Sequence, residues 1–137
     1  MDTSGSFTQN QFCSYEIALA LKELGFDEEC IGFYYNENNF EIAIPDVVKV
    51  MCDKFNYIKA PLWQQVIEWF RNRHNIYIWI SYSKGYDNPY SSYIITLNKT
   101  NGITTGYCKL YEESRKRVIL KAIELYKTRI SGNEFAI

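Results

Sequence analysis

The sequence predicts an α+β domain of two layers, in which an antiparallel sheet of about five strands carries about three helices on one face. Segments with helical spacing of apolar residues stand near the start, in the middle and near the end of the 137 residues. A β-hairpin and a three-stranded meander fill the intervals between them. Because strands and helices do not alternate one for one, a parallel sheet of βαβ units is disfavoured.

Length and composition favour a single folded domain. With 47% hydrophobic and 23% charged residues the chain can build one core, whereas two domains would each be short of apolar surface. We predict a flexible polar arm over residues 1–12, the domain over residues 13–130 and a C-terminal tail over residues 131–137. The arm lacks the basic and apolar regions of a signal peptide, and no apolar run approaches the roughly 18 residues of a membrane span.

The first helix is predicted to begin after Ser14, whose hydroxyl can accept hydrogen bonds from the first turn, and to end at Gly25. A hairpin is predicted over residues 31–44, around a turn of asparagines that tolerate positive φ. Its second strand places Phe40, Ile42 and Ile44 on one face, which we expect to be buried. Residues 46–58 fit a short helix and an irregular edge strand equally well.

The middle helix is predicted from Pro61, which suits a first helical turn, to about His74-Asn75. The strand that follows, Ile76–Tyr82, alternates strictly between its two faces. Its isoleucines occupy the face predicted to meet the helices, so that the rings of Tyr77 and Trp79 point away.

The last part of the chain completes the sheet. Strands are predicted at residues 90–98 and 103–108, joined by a hairpin turn at Asn101-Gly102. The closing helix is predicted over residues 111–129, with Glu112 and Glu113 placed favourably in its first turn.

Two segments resemble small proteins from phages and mobile elements of gut bacteria, a likeness that covers residues 15–126. They are Leu62-Trp63-Gln64-Gln65-Val66-Ile67-Glu68-Trp69-Phe70-Arg71, closing at His74-Asn75-Ile76, and Tyr111-Glu112-Glu113-Ser114 leading into Ala122-Ile123-Glu124-Leu125. The resemblance implies a bacterial cytoplasm and an accessory role. It carries no catalytic or binding residue, because no activity is established for the group.

The sequence holds few signs of catalysis or metal binding. It has no glycine loop for nucleotides, no hydrolase elbow and no zincin motif, so we expect neither enzymatic activity nor a cofactor. One histidine and four cysteines without a CxxC pair disfavour a zinc site, and reduced, buried cysteines are expected. A Cys13–His74 nucleophile pair is conceivable, but an inert thiol and a structural histidine, protonated at its helix end, explain both residues more simply.

Charge is distributed unevenly along the chain. Residues 1–53 contain ten acidic residues and two lysines, whereas residues 54–137 contain thirteen basic and six acidic residues. The two halves can neutralise each other within one molecule, pair between the subunits of a dimer, or leave the basic half to bind phosphate.

The predicted contact site is a sheet face that bears Tyr77, Trp79 and Tyr34. Such a face can bind a protein, including a second copy, or stack the bases of a nucleic acid, unless a loop or residues 46–58 cover it. We predict a cytoplasmic, non-enzymatic protein that acts by protein–protein binding or self-association, without membrane or metal. The alternative is a nucleic-acid-binding module whose phosphate contacts are Arg71, Arg73, Arg115, Lys116, Arg117 and Lys121.

Overall fold

The computed structural model describes residues 7–96 and 102–130. In chain order these form a short 3-10 helix (Gln9–Gln11), α1 (Tyr15–Glu23), β1 (Gly32–Asn36), β2 (Asn39–Ile42), α2 (Pro45–Phe55), β3 (Ile58–Lys59), α3 (Trp63–His74), β4 (Ile76–Tyr82), β5 (Tyr90–Thr96), β6 (Ile103–Cys108) and α4 (Tyr111–Ile130). The α+β class is confirmed. The described strands form two three-stranded antiparallel sheets instead of one sheet of five, and α2 is a fourth helix.

The chain divides into two compact units, Met1–Gln65 and Val66–Ile137, with the boundary inside α3. We refer to them as the first and second units. The predicted Asn101 turn residue, the predicted end of the second meander strand at residues 97–98 and the C-terminal tail lie outside the described residues.

The first unit is built around β1, the central strand of a sheet ordered β2-β1-β3. Tyr34 on one face of β1 belongs to a buried cluster with Phe12, Ala18 and Ile58. On the other face, the ring of Phe33 stacks on that of Tyr57 at 5.9 Å between centroids. β1 is therefore covered on both faces.

The predicted ends of α1 are confirmed. The Ser14 hydroxyl accepts a hydrogen bond from the Ile17 N–H at 3.5 Å, and Gly25 follows the helix with a φ of 91°. Residues in left-handed conformation commonly end helices, and glycine adopts it without steric cost.

The hairpin of β1 and β2 is confirmed, but the expected burial of its second strand is wrong beyond Phe40. Ile42 is exposed and Ile44 is 65% exposed. β2 ends at Ile42, and Ile44 is instead the N-cap residue of α2, with Pro45 at the first helical position. Of the two alternatives for residues 46–58, the structure therefore shows the helix. This helix is capped at its C-terminal end by Asn56, which has a φ of 58°.

Phe12, predicted as the last residue of the polar arm, belongs instead to the core of the first unit. Phe12 is buried and forms a β-bridge with Leu62, and the Cys13 N–H donates to the Pro61 carbonyl at 2.9 Å. These contacts attach the beginning of the described chain to the core of the first unit.

The second unit contains the sheet β4-β5-β6 with α4 packed across all three strands. Ser92 shows which face the helix covers, because its buried hydroxyl donates to the Ser114 carbonyl on α4 at 3.4 Å. Ser92 pairs with Ile80, so the isoleucines of β4 lie on the helix side, as predicted.

The bounds of α3 agree with the prediction at its end and differ at its start. The helix begins at Trp63, two residues after Pro61, and the side-chain oxygen of Gln65 accepts a hydrogen bond from the Leu62 N–H at 3.2 Å. It ends before Asn75, which has a φ of 57°.

Candidate functional site

The face of the second sheet opposite α4 carries a row of stacked rings. The ring of Trp79 lies 5.6 Å from that of Tyr93 and 6.4 Å from that of Tyr77, and both pairs are stacked within 25° of parallel. Trp79 is 44% exposed, and Tyr77 and Tyr93 are half-buried. We call the side chains of this side of the sheet the aromatic face: Tyr77, Trp79, Tyr93, Ile95 and Tyr107.

Strand register explains why these side chains converge. Trp79 pairs with Tyr93 and Tyr77 pairs with Ile95, and paired residues of antiparallel strands share a face. Tyr107 joins them because it pairs with Ser91 on the same side, and it is 67% exposed. None of the residues of β4, β5 and β6 is charged. The aromatic face is therefore a surface of rings, hydroxyls and methyl groups.

A cleft of about 480 Å³ adjoins the aromatic face at Tyr107. The loop between β4 and β5 forms most of its wall, with Ser83, Tyr86, Asp87 and Asn88. Its lining combines polar and aromatic side chains with one carboxylate, that of Asp87.

The predicted membership of Tyr34 in this site is wrong. Tyr34 lies in the first unit with 2% of its surface exposed, and its hydroxyl donates to the Cys13 carbonyl at 2.8 Å. Burial raises the pKa of Tyr34, although a hydrogen bond with the Gln9 side chain opposes the shift. Because β1 is covered on both faces, the alternation of its residues did not separate an exposed side from a buried one.

The predicted phosphate-contacting residues lie on helices. Four of them follow one another along α4, on the other side of the sheet from the aromatic face: Arg115, Lys116, Arg117 and Lys121. Arg117 lies 4.0 Å from Glu113, Lys121 lies 3.2 Å from Glu124, and Arg115 lies over the ring of Tyr111. Arg71 and Arg73 are exposed near the end of α3. The structure thus separates the α4 cations from the stacked rings.

His74 lies in an aromatic cluster of the second unit. Its ring is 4.0 Å from that of Tyr126 and 4.5 Å from that of Trp69, and its carbonyl accepts a hydrogen bond from Arg129 at 2.7 Å. Burial lowers the pKa of His74 below 6.5, and the positive charges of Arg129 and Arg73 lower it further. This direction is opposite to the one expected from the helix dipole, because burial and the two arginines disfavour the charged imidazole.

The lowered pKa of His74 predicts a loss of stability in acid. Below about pH 6.5 the unfolded chain binds a proton at His74 that the folded chain does not, so the free energy of unfolding falls until the folded pKa is reached. Urea unfolding of the wild type and His74→Gln between pH 7.5 and pH 5 isolates this effect, because the variant lacks it. The single histidine also gives one NMR titration curve. A curve centred above 6.5 contradicts the prediction.

A second cleft, of about 280 Å³, lies in the first unit. Its walls come from α1, α2, β3 and the segments beside them, and its polar lining includes Lys22, Asp27, Cys52, Asp53, Asn56 and Lys59. Lys22 donates to the Asn56 side chain at 2.7 Å, and Lys59 lies 3.4 Å from Asp27. Two lysines and two aspartates balance each other there. No pattern in the sequence indicates this cleft, because its residues come from separate segments.

The four cysteines, all within the described residues, form no disulfide, and three of them are buried. Burial raises the pKa of Cys30 to about 12 and also raises that of the half-buried Cys52. Both thiols are protonated at neutral pH and are poor nucleophiles. Cys13 is buried in the first unit, whereas His74 belongs to the second.

No cluster of three or more His, Cys, Asp or Glu side chains is arranged to hold a metal ion among residues 7–96 and 102–130. In the same part of the chain, no helix combines the length and apolarity needed to cross a bilayer. Comparison with protein-family models, with curated proteins and with solved structures finds no match to this chain.

Proposed function

We propose that the chain is a non-enzymatic accessory protein that acts by protein–protein contact through the aromatic face, with a second copy of itself as the first partner. The observation that supports this most directly is the 44% exposure of Trp79 within a stacked row of rings. Tryptophan and tyrosine dominate the binding free energy of protein interfaces, where they lie in desolvated centres. An uncharged face suits such a centre, because no charge has to leave water.

Nucleic-acid binding is the alternative, and it is supported by the net charge of the second unit. Residues 66–137 contain eleven basic and six acidic residues. Stacking of bases on exposed rings, however, is combined in known single-strand binders with cations that follow the phosphates. β4, β5 and β6 supply none, and the cations of α4 are on the other side of the sheet. Protein contact therefore fits the aromatic face better.

We also propose a bacterial cytoplasm and a phage or mobile-element origin. The supporting observations are the resemblance of residues 62–76 and 111–125 and the three buried cysteines, which form no disulfide in the described structure.

Trp79→Ala is expected to leave the fold intact and to weaken self-association by at least about tenfold, since a central interface tryptophan contributes about 2 kcal/mol or more. Sedimentation velocity over a series of concentrations measures the dissociation constant, and circular dichroism checks the fold. Leu120→Ala is the matched control, because Leu120 is 37% exposed on α4. Its dissociation constant is expected to equal that of the wild type.

Two results would overturn this proposal. A wild type that sediments as a monomer at about 100 μM, far above a typical specific dissociation constant, has no self-association to explain. An unfolded Trp79→Ala variant places the ring in the core. Retention on heparin that falls steeply with salt, and is lost in Arg115→Ala with Lys116→Ala, supports the nucleic-acid alternative instead.

A further inference from the structure

β4 is an edge strand of the second sheet, and its own sequence lacks the residues that usually protect such an edge. It forms seven consecutive pairs with β5 without a register shift, and its other edge pairs with no strand among the described residues. An unpaired edge presents N–H and C=O groups that another strand can pair with, and proteins commonly block it with charges, prolines or bulges. β4 has the sequence Ile-Tyr-Ile-Trp-Ile-Ser-Tyr and contains none of these.

The opposite edge, β6, is protected by a bulge. Its register with β5 shifts between Ser91 and Tyr93, so that two residues of β6, the second of them Gly106, stand opposite Ser92 alone. Gly106 has a φ of 92°. A side-chain nitrogen of Arg117 lies 3.8 Å from the position that a Cβ would occupy at Gly106. Bulges bend and twist a strand, which interferes with pairing along that edge. Pairing with another strand is therefore favoured at β4.

We propose that two copies of the chain pair antiparallel through β4, about a two-fold axis at Trp79, and thereby form one continuous six-stranded sheet. This inference rests on the proposed function, because it specifies how self-association uses the same surface. Trp79 is the middle residue of the seven in β4, so this register is the one that pairs the whole strand.

The register also keeps each side of the sheet continuous. It opposes Ile78 with Ile80 of the second copy on the helix side, and Tyr77 with Ser81 of the second copy on the aromatic face. If the pairing of the two copies slipped by one residue, helix-side residues of one copy would stand opposite aromatic-face residues of the other. Trp79 meets Trp79 of the second copy at the axis, where directly opposed side chains have Cβ atoms about 5 Å apart.

Charge supports a second copy as the occupant of this edge. The strand and the aromatic face are uncharged, so a two-fold arrangement opposes no like charges along β4. The paired sheet would also join the two rows of rings into one, from Tyr93 of one copy to Tyr93 of the other.

A charge exchange at Trp79 tests the two-fold axis. Trp79→Lys alone and Trp79→Glu alone place like charges opposite each other, and each is expected to raise the dissociation constant at least a hundredfold. An equimolar mixture of the two variants is expected to recover the dimer in sedimentation velocity. Leu120→Lys is the control, because Leu120 is exposed on α4, outside the aromatic face and away from the free edge of β4, and is expected to leave the dimer unchanged.

The outcomes separate this inference from the proposed function. If the mixture stays monomeric while Trp79→Ala weakens self-association, the two-fold pairing is wrong and the proposed function stands. If Leu120→Lys abolishes the dimer, the copies associate through α4 and not through β4, which overturns edge pairing. A monomeric wild type overturns both.

A cysteine variant decides the question if the charged variants do not fold. With Cys52 replaced by Ser, Trp79→Cys is expected to form a disulfide-linked dimer under oxidising conditions. Ser81→Cys is the control, because in this register two copies of residue 81 are about 13 Å apart. A Trp79→Cys chain that does not cross-link, or a Ser81→Cys chain that cross-links equally, overturns the pairing.

Discussion

Phe70→Ala is expected to lower the free energy of unfolding by about 3–5 kcal/mol, which is a large part of the stability of a small protein. Phe70 is fully buried in α3, and its ring lies 5.0 Å from that of Trp69 and 6.5 Å from that of Tyr126. The neighbours of Phe70 are large rings held by one another, so they cannot close the space that the side chain leaves. Such sites lie at the costly end of the large-to-small range.

Urea unfolding followed by circular dichroism measures this loss. Tyr86→Ala is the control within the same unit, because Tyr86 is among the most exposed aromatic residues, and its effect is expected to stay within about 0.5 kcal/mol. A loss of less than about 1 kcal/mol for Phe70→Ala would mean that the cluster around His74 is less closely packed than the structure describes.

Phe12→Ala is expected to have a similar effect on the first unit, again about 3–5 kcal/mol. The ring of Phe12 is buried 4.9 Å from that of Phe40 and lies directly over Gly32. A Cβ at Gly32 would come within 2.7 Å of that ring, so the strand accepts glycine there because Phe12 occupies the adjoining space.

The combination of the two substitutions gives a sharper test. Gly32→Ala alone is expected to cost about 1–3 kcal/mol, because it overpacks the site. In the Phe12→Ala background the added methyl group enters the vacated space, so the double variant is expected to lose less than the sum of the two single losses. Additive losses would show that Gly32 and Phe12 do not share one packing site.

The elements predicted correctly from sequence are those whose local signals agree. β4 alternates strictly and is rich in β-branched and aromatic residues, and α1 has both a capping serine and a terminating glycine. The meander order, and the inward direction of the isoleucines, followed from the same alternation. Where capping, periodicity and propensity point to the same structure, a sequence is sufficient to indicate it.

The first unit was harder to predict because its apolar residues do not mark its buried side. Val47 and Val50 of α2 and Ile44 before it are exposed, so their apolar character concealed the helix. Tyr34 and Phe33 are both buried, on opposite faces of β1. The alternation of side chains cannot identify the buried face of a strand that is buried on both faces. The division of six strands into two sheets depends on tertiary pairing that no local pattern reports.

The candidate site was predicted in part. Tyr77 and Trp79 were identified from their position opposite the isoleucines, but Tyr93 and Tyr107 were missed. Their membership depends on the register between strands and on the bulge at Gly106, which moves Tyr107 onto the aromatic face. The hairpin signal indicated that the strands are neighbours without fixing which residues face each other.

The bulge in β6 also has a consequence for the size of the proposed assembly. In the proposed dimer each copy uses its straight edge once, and the two outermost strands of the joined sheet are both copies of β6. Gly106 bends each of them, so a third molecule finds no straight template, and the assembly closes as a pair instead of growing into a fibre. In the proposed dimer, this glycine would therefore limit the number of subunits to two.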